Sequence, residues 1–235
     1  MTIEEKQRLF DDIEAYKAIY ETYKPLHDDG SYDKVALTNT YYEMVKKAFP
    51  DTQKAETVWQ YIKSSEFSKS PASTAFHGNY ENGLAVHTMQ VIYQSFKLAA
   101  AVFTDYFSSL HGEEISVTAD DIFVTALAHD FCKAGSYETY TKKMPDASGN
   151  WAPVKCFKFD KMNRNLGHGN ESVLRLIELL PEYIHNRPVL EAVSRHMGFS
   201  DLADSEAYNY SNFLQNPLVL LVQLADQTAV GWYDR

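Results

Sequence analysis

Five helical segments of this chain each carry an imidazole or a carboxylate at a position expected to face inward, in the order His87, His129-Asp130, His168, His196, Asp226. Polar groups of this kind are costly to bury one at a time, so the segments must fold in a way that buries them together. The spacing says how. Intervals of 42 residues from His87 to His129, 38 from Asp130 to His168, 28 to His196 and 30 to Asp226 allot one helix or helix end to each group. That suits convergence in the middle of a helical bundle and not a local finger.

Taken singly, each residue has a plainer explanation. A lone histidine on a helix, such as His87, is commonly a hydrogen-bonded core or boundary residue. His196 closes a helix before Gly198, where a histidine is favoured by the helix dipole alone. His129 and Asp130 end the apolar run from Ile122 to Phe131 and point roughly 100° apart, so only something at the edge between them can touch both. Asp226 sits in the most apolar helix, Leu218 to Val230, on the face of Val219, Val222 and Ala229; a carboxylate there calls for a cation or several donors. His168 is framed by Gly167 and Gly169, which let backbone and ligand approach closely. As a set, these positions form a candidate divalent-metal centre.

Composition narrows the reading. With 235 residues, 45% of them hydrophobic, one well-buried core with additions is expected. A net charge of -10 and a pI near 5.2 argue against a protein that tracks nucleic-acid backbone through a broad basic surface. A small phosphorylated ligand is compatible, because bound cations supply positive charge locally. Met1 to Lys6 leads into no apolar run of the secretory type, and no stretch of 18 apolar residues suggests a membrane span. Cys132 and Cys156 stand in different contexts and form neither a disulfide framework nor a thiolate site by themselves, so a reducing cytoplasm is expected.

Along the chain, apolar residues spaced by threes and fours predict helices over 3–24, through Tyr41 to Phe49, from the Asp51 cap to about Ser64, and from Asn82 to Phe107. Residues 65–78 read as an ordered loop. Thr118-Ala-Asp-Asp121 is a capped start for the helix leading to His129. Gly149-Asn150, between aromatic-rich flanks, predicts a β-hairpin insertion over about 139–160. Helices resume near Glu171, stop at Pro181, and run again over 188–196 and 217–230.

The words around these residues resemble the HD-domain phosphohydrolase superfamily: Tyr80-Glu-Asn-Gly-Leu-Ala-Val-His87, Ala128-His-Asp-Phe-Cys-Lys133, Gly167-His-Gly-Asn-Glu-Ser172, Arg195-His-Met-Gly198 and Leu224-Ala-Asp226. The likeness covers about residues 70–230. It implies an all-α HD-domain helical bundle with a small β-hairpin insertion, in which 70–235 form the catalytic domain and 1–69 a helical extension. It also implies a metal site of His87, His129, Asp130 and Asp226, with His168 and His196 resembling residues that hold a second ion, bridged by Asp130. One or two divalent ions are expected, Mn²⁺ or Fe²⁺ first, with Mg²⁺, Ni²⁺, Co²⁺ or Zn²⁺ as alternatives. Lys133 resembles a lysine that faces the scissile phosphate and, with Asp130, is a candidate catalytic residue; Tyr80, Asn82 and Glu171 are candidate substrate contacts. Two departures stand beside the metal residues. Asn82-Gly83 replaces a frequent Gly-Gly pair, and Cys132 stands where a glycine is common.

The activity implied is hydrolysis of a phosphate ester or anhydride of a small nucleotide-like substrate, by water that the ions activate. Trp151, Phe157 and Phe159 of the insertion could stack on a base or simply pack the hairpin's own face. Alternatives are a 3′-5′ exonuclease or phosphodiesterase on single strands, a non-catalytic nucleotide-binding protein of this fold, and a di-iron oxygenase. No membrane partner and no stable nucleic-acid binding are expected; the apolar stripes of 1–66 must be covered by the core or by an oligomer contact.

Overall fold

The computed structural model describes residues 1–146, 148–160, 166–202 and 207–233. Its architecture is mostly helical, with one two-stranded sheet. Helix α1 (Ile3–Tyr23) opens with a capping box between Thr2 and Glu5 and buries Leu9, Ile13, Tyr16 and Tyr20, a stripe at helical spacing. Helices α2 (Lys34–Ala48) and α3 (Thr52–Lys63) start at Asp33 and Asp51, whose carboxylates accept from the first free amides. Contrary to the expected loop, residues 65–78 begin with a short helix, α4 (Ser65–Lys69), capped by Ser64 and anchored by the buried ring of Phe67.

Helix α5 (Gly83–Phe107) is the axis of the fold. It buries residues over much of its circumference, as expected of a helix packed on several sides by α1, α6 (Ala119–Ala128) and the last long helix. Tyr16 of α1 stacks on Phe96 of α5 at 4.5 Å and on Phe123 of α6 at 5.7 Å, and its hydroxyl donates to Asp120 at 2.6 Å. Apolar residues of α1, α2 and α3 thus share one continuous core with those of the later helices. The N-terminal helices cover their stripes within the chain.

After α6 the chain makes a 3-10 turn, Phe131–Lys133, and then the hairpin of β1 (Tyr137–Pro145) and β2 (Trp151–Phe159), paired antiparallel from Tyr137↔Phe159 to Pro145↔Trp151. Asp146 holds the turn by accepting from the amides of Ser148 and Asn150, and Gly149 takes the left-handed φ of 83° that the reversal requires. Phe157 at the base is buried, whereas Trp151 at the tip is 70% exposed. Among the described residues the remaining α-helices are α7 (His168–Leu179), α8 (Arg187–Arg195), α9 (Tyr210–Phe213) and α10 (Pro217–Thr228). Helix α7 starts three residues earlier than the pattern suggested, because Gly167, at φ 83°, permits the turn into it. Asn186 and Asn216 cap α8 and α10, each followed closely by a proline, and α10 ends in a π turn, Ala229–Tyr233. Among the described residues, no helix is long and apolar enough to cross a membrane.

Candidate metal centre

The groups singled out by order in the sequence meet in space. His87 lies on the second turn of α5, and His129 is the residue that ends α6. Asp130 follows at φ -110° and ψ 20°, which breaks the helix and swings its carboxylate into the interior. Lys133 closes the 3-10 turn, His168 opens α7, His196 ends α8, and Asp226 lies in the last turn of α10. The four histidines and Asp130 are buried, and the side chain of Asp226 is 18% exposed.

Two glycines let these elements approach. A Cβ on Gly169 would lie 2.0 Å from the carbonyl oxygen of Ser194, so α7 and the end of α8 touch backbone to backbone just where they carry His168 and His196. A Cβ on Gly83 would lie 1.9 Å from the carbonyl oxygen of Gly78, which fixes the start of α5 one turn before His87. The rings of His168 and His196 are then 5.2 Å apart, as are those of His129 and His196, and those of His87 and His129 are 5.3 Å apart.

Asp130 is the hub. Its Oδ1 is 2.7 Å from His168 Nε2 and 3.6 Å from His196 Nε2; its Oδ2 is 3.5 Å from His87 Nε2, 3.4 Å from His129 Nε2 and 2.6 Å from Lys133 Nζ. Asp226 Oδ1 reaches His87 Nε2 at 3.2 Å. Burial alone would push the Asp130 carboxyl up, but the Lys133 ammonium and the surrounding imidazoles outweigh it and hold the group well below the ordinary carboxylate range. Asp226 is likewise held low, its burial outweighed by His87 and His129. His168 is pushed down by burial, which its bond to Asp130 only partly offsets.

The tautomers test whether these residues fit a metal. His129 Nδ1–H donates to the carbonyl of Ala126 at 2.7 Å, and His196 Nδ1–H donates to that of Val193 at 2.7 Å, because a carbonyl can only accept. In the neutral form both Nε2 atoms therefore carry lone pairs, and both face an ionised carboxylate. Nε2 of His129 also lies 3.3 Å from that of His87, and Nε2 of His196 is buried with no hydrogen-bond partner. Lone pairs converging on a carboxylate repel one another unless a cation sits among them, and a backbone carbonyl fixing the second ring nitrogen is the usual support of a metal-bound imidazole. The residues fit.

Two sets of three have their ligand atoms within 4.8 Å of one another: His87, His129 and Asp226, and Asp130, Cys132 and His168. Cys132 belongs to no ligand expected from the order of residues. The only hint was its place in the His-Asp word, since the contact of its sulfur is set by the 3-10 turn and not by helical spacing. The candidate substrate contacts divide. Tyr80 lines a cleft of about 720 Å³ that also takes in His87, whereas Asn82 donates to Tyr32 Oη at 3.4 Å and lines another hollow with Trp59 and Ile62. Glu171 pairs with Arg175 at 3.4 Å in a third, beside Tyr61 and Glu66.

No protein-family model matches this chain, and neither the curated proteins nor the solved structures contain a match to it. What stands on its own geometry is a buried cluster of histidines and aspartates that can hold a metal ion, compatible with the order of ligands in an HD motif.

Proposed function

We propose that the protein is a metal-dependent phosphohydrolase of the HD type, acting on a phosphate ester or anhydride of a small nucleotide-like substrate. The observation that carries this reading is the pair of Nδ1-anchored histidines, His129 and His196, facing opposite oxygens of the buried Asp130. In it, His87, His129, Asp130 and Asp226 would hold one ion, and Asp130, His168 and His196 a second. Divalent ions bound there would acidify water and polarise a phosphoryl oxygen. Water adds to phosphorus as the bond to the leaving oxygen breaks, and the Lys133 ammonium, beside Asp130, offsets charge that develops on the phosphoryl group.

The cleft supports the substrate class. Tyr80, Trp232 and Tyr233 bring aromatic side chains to its wall for a base, and Lys24 and Lys97, beside Glu21 and Asp28, bring positive charge for phosphate. Chromatographic separation of the hydrolysis products of nucleoside mono- and triphosphates and cyclic nucleotides, incubated with protein loaded with Mn²⁺ or Fe²⁺, tests the proposal. Turnover abolished by Asp130→Ala supports it; metal-loaded protein that hydrolyses none of them overturns it.

A further inference from the structure

We infer that Cys132 supplies a thiolate to the ion on the Oδ1 side of Asp130, making that half of the centre a mixed imidazole, carboxylate and thiolate site. The inference rests on the metal-binding reading above and goes beyond its ligand set. Cys132 is 1% exposed, and its sulfur, an Asp130 oxygen and a His168 nitrogen lie within 4.8 Å of one another, a spacing that one ion can span. A second feature points at the same carboxylate: His196 Nε2 is buried, has no hydrogen-bond partner, and lies 3.6 Å from the Oδ1 that His168 also contacts. Cys132, Asp130 and His168 thus offer a sulfur, a carboxylate and an imidazole to one ion, and His196 presents a further imidazole to the same carboxylate oxygen.

The backbone of the turn is built to hold the sulfur in place. The Cys132 amide donates to Ser172 Oγ at 3.1 Å, and Ser136 Oγ donates to the Cys132 carbonyl at 2.6 Å. Arg175 donates to the carbonyl of Phe131 at 3.1 Å and to that of Ala134. His168, Ser172 and Arg175 succeed one another at helical spacing on one face of α7, so the helix that delivers the imidazole also fixes the turn that delivers the thiol. On binding, the thiol proton passes to solvent. Sulfur is a soft donor, so this half-site prefers Zn²⁺, Fe²⁺ or Co²⁺ to Mg²⁺ or Mn²⁺.

Cys156, the other cysteine, lies on the hairpin with its sulfur 3.7 Å from the Val154 carbonyl, which makes a clean experiment possible. Full-length Cys156→Ser protein is loaded with Co²⁺, its cobalt content measured by mass spectrometry, and its near-ultraviolet spectrum scanned for sulfur-to-cobalt charge transfer. Only Cys132 can produce that band in this variant, so the reading does not depend on a Cys132 variant folding. A band that grows with bound cobalt, and is lost in Cys132→Ser protein that still binds at least one ion, is the expected result. Two cobalt ions per chain with no such band overturn the thiolate while leaving the metal centre standing; no bound cobalt overturns both.

Discussion

Gly169 and Ser194 meet with no room for a side chain between them: a methyl group on the glycine would lie 2.0 Å from the serine's carbonyl oxygen. Neither a rotamer change nor a shift of one flexible side chain can relieve a clash with backbone. Gly169→Ala should therefore push α7 from α8, cost about 1–3 kcal/mol of stability, and separate His168 from His196. Thermal unfolding followed with and without added Zn²⁺ checks both effects. A variant that melts with the wild type and gains as much from the metal would contradict this account.

Arg175 ties three groups of the turn that follows the His-Asp doublet, the carbonyls of Phe131 and Ala134 and the hydroxyl of Ser136. Arg175→Ala leaves those acceptors without their charged donor and should cost about 2–3 kcal/mol. Lysine should restore little, because a single ammonium cannot bridge acceptors that the planar guanidinium reaches together. Urea midpoints of the three proteins decide it, and recovery of wild-type stability by Arg175→Lys would count against the clamp.

The hydroxyl of Tyr16 meets Asp120 inside the contact between α1 and α6. Tyr16→Phe keeps the stack on Phe96 and Phe123 but strips the carboxylate of its donor, with an expected loss of about 1–3 kcal/mol. Combining it with Asp120→Asn should recover part of that loss, since the pair is then no longer a charge facing a ring. Strict additivity of the two changes in a double-mutant cycle would show that the bond contributes nothing.

Acid should loosen the metal-free protein from the centre outwards. Burial depresses His168 below its ordinary 6.5, so the native state binds fewer protons than the unfolded chain, and stability present above pH 6.5 drains away as pH falls through that value. Asp130, held well below its ordinary 3.8, acts with the same sign: its contribution is complete above that pH and is lost as pH drops further. Chelated protein should thus show a urea midpoint that begins to fall as pH drops below 6.5 and falls further below 3.8. A midpoint independent of pH from 8 to 4 would be incompatible with both assignments.

Much of this architecture could be read from periodicity. Long helices such as α1, α5 and α10 have stripes or runs that no strand could bury, and Thr118 with Asp121 marked the start of α6. The hairpin announced itself through Gly149-Asn150 between aromatic flanks. Helix α4 escaped because five residues are too few to show a period, and its existence depends on Ser64 capping it and Phe67 finding a buried slot. Within the centre, the order of His and Asp located the groups that meet at Asp130, since each sits at a helix end or inward face. Nothing in spacing could show that Cys132 turns its sulfur towards His168, or that Asn82 and Glu171 line other hollows, because turns and side-chain partners settle those directions.

The clustered imidazoles and carboxylates all belong to residues 87–226, yet the cleft that His87 lines is edged on two sides by Lys24 to Ser31 after α1 and by Gly231 to Tyr233 at the end of α10. The buried cluster and these edges of the cleft are therefore written on different stretches of the chain. Substitutions in the two outer segments can reshape the cleft while the cluster stays as it is, so chains sharing this interior need not share the shape of its mouth.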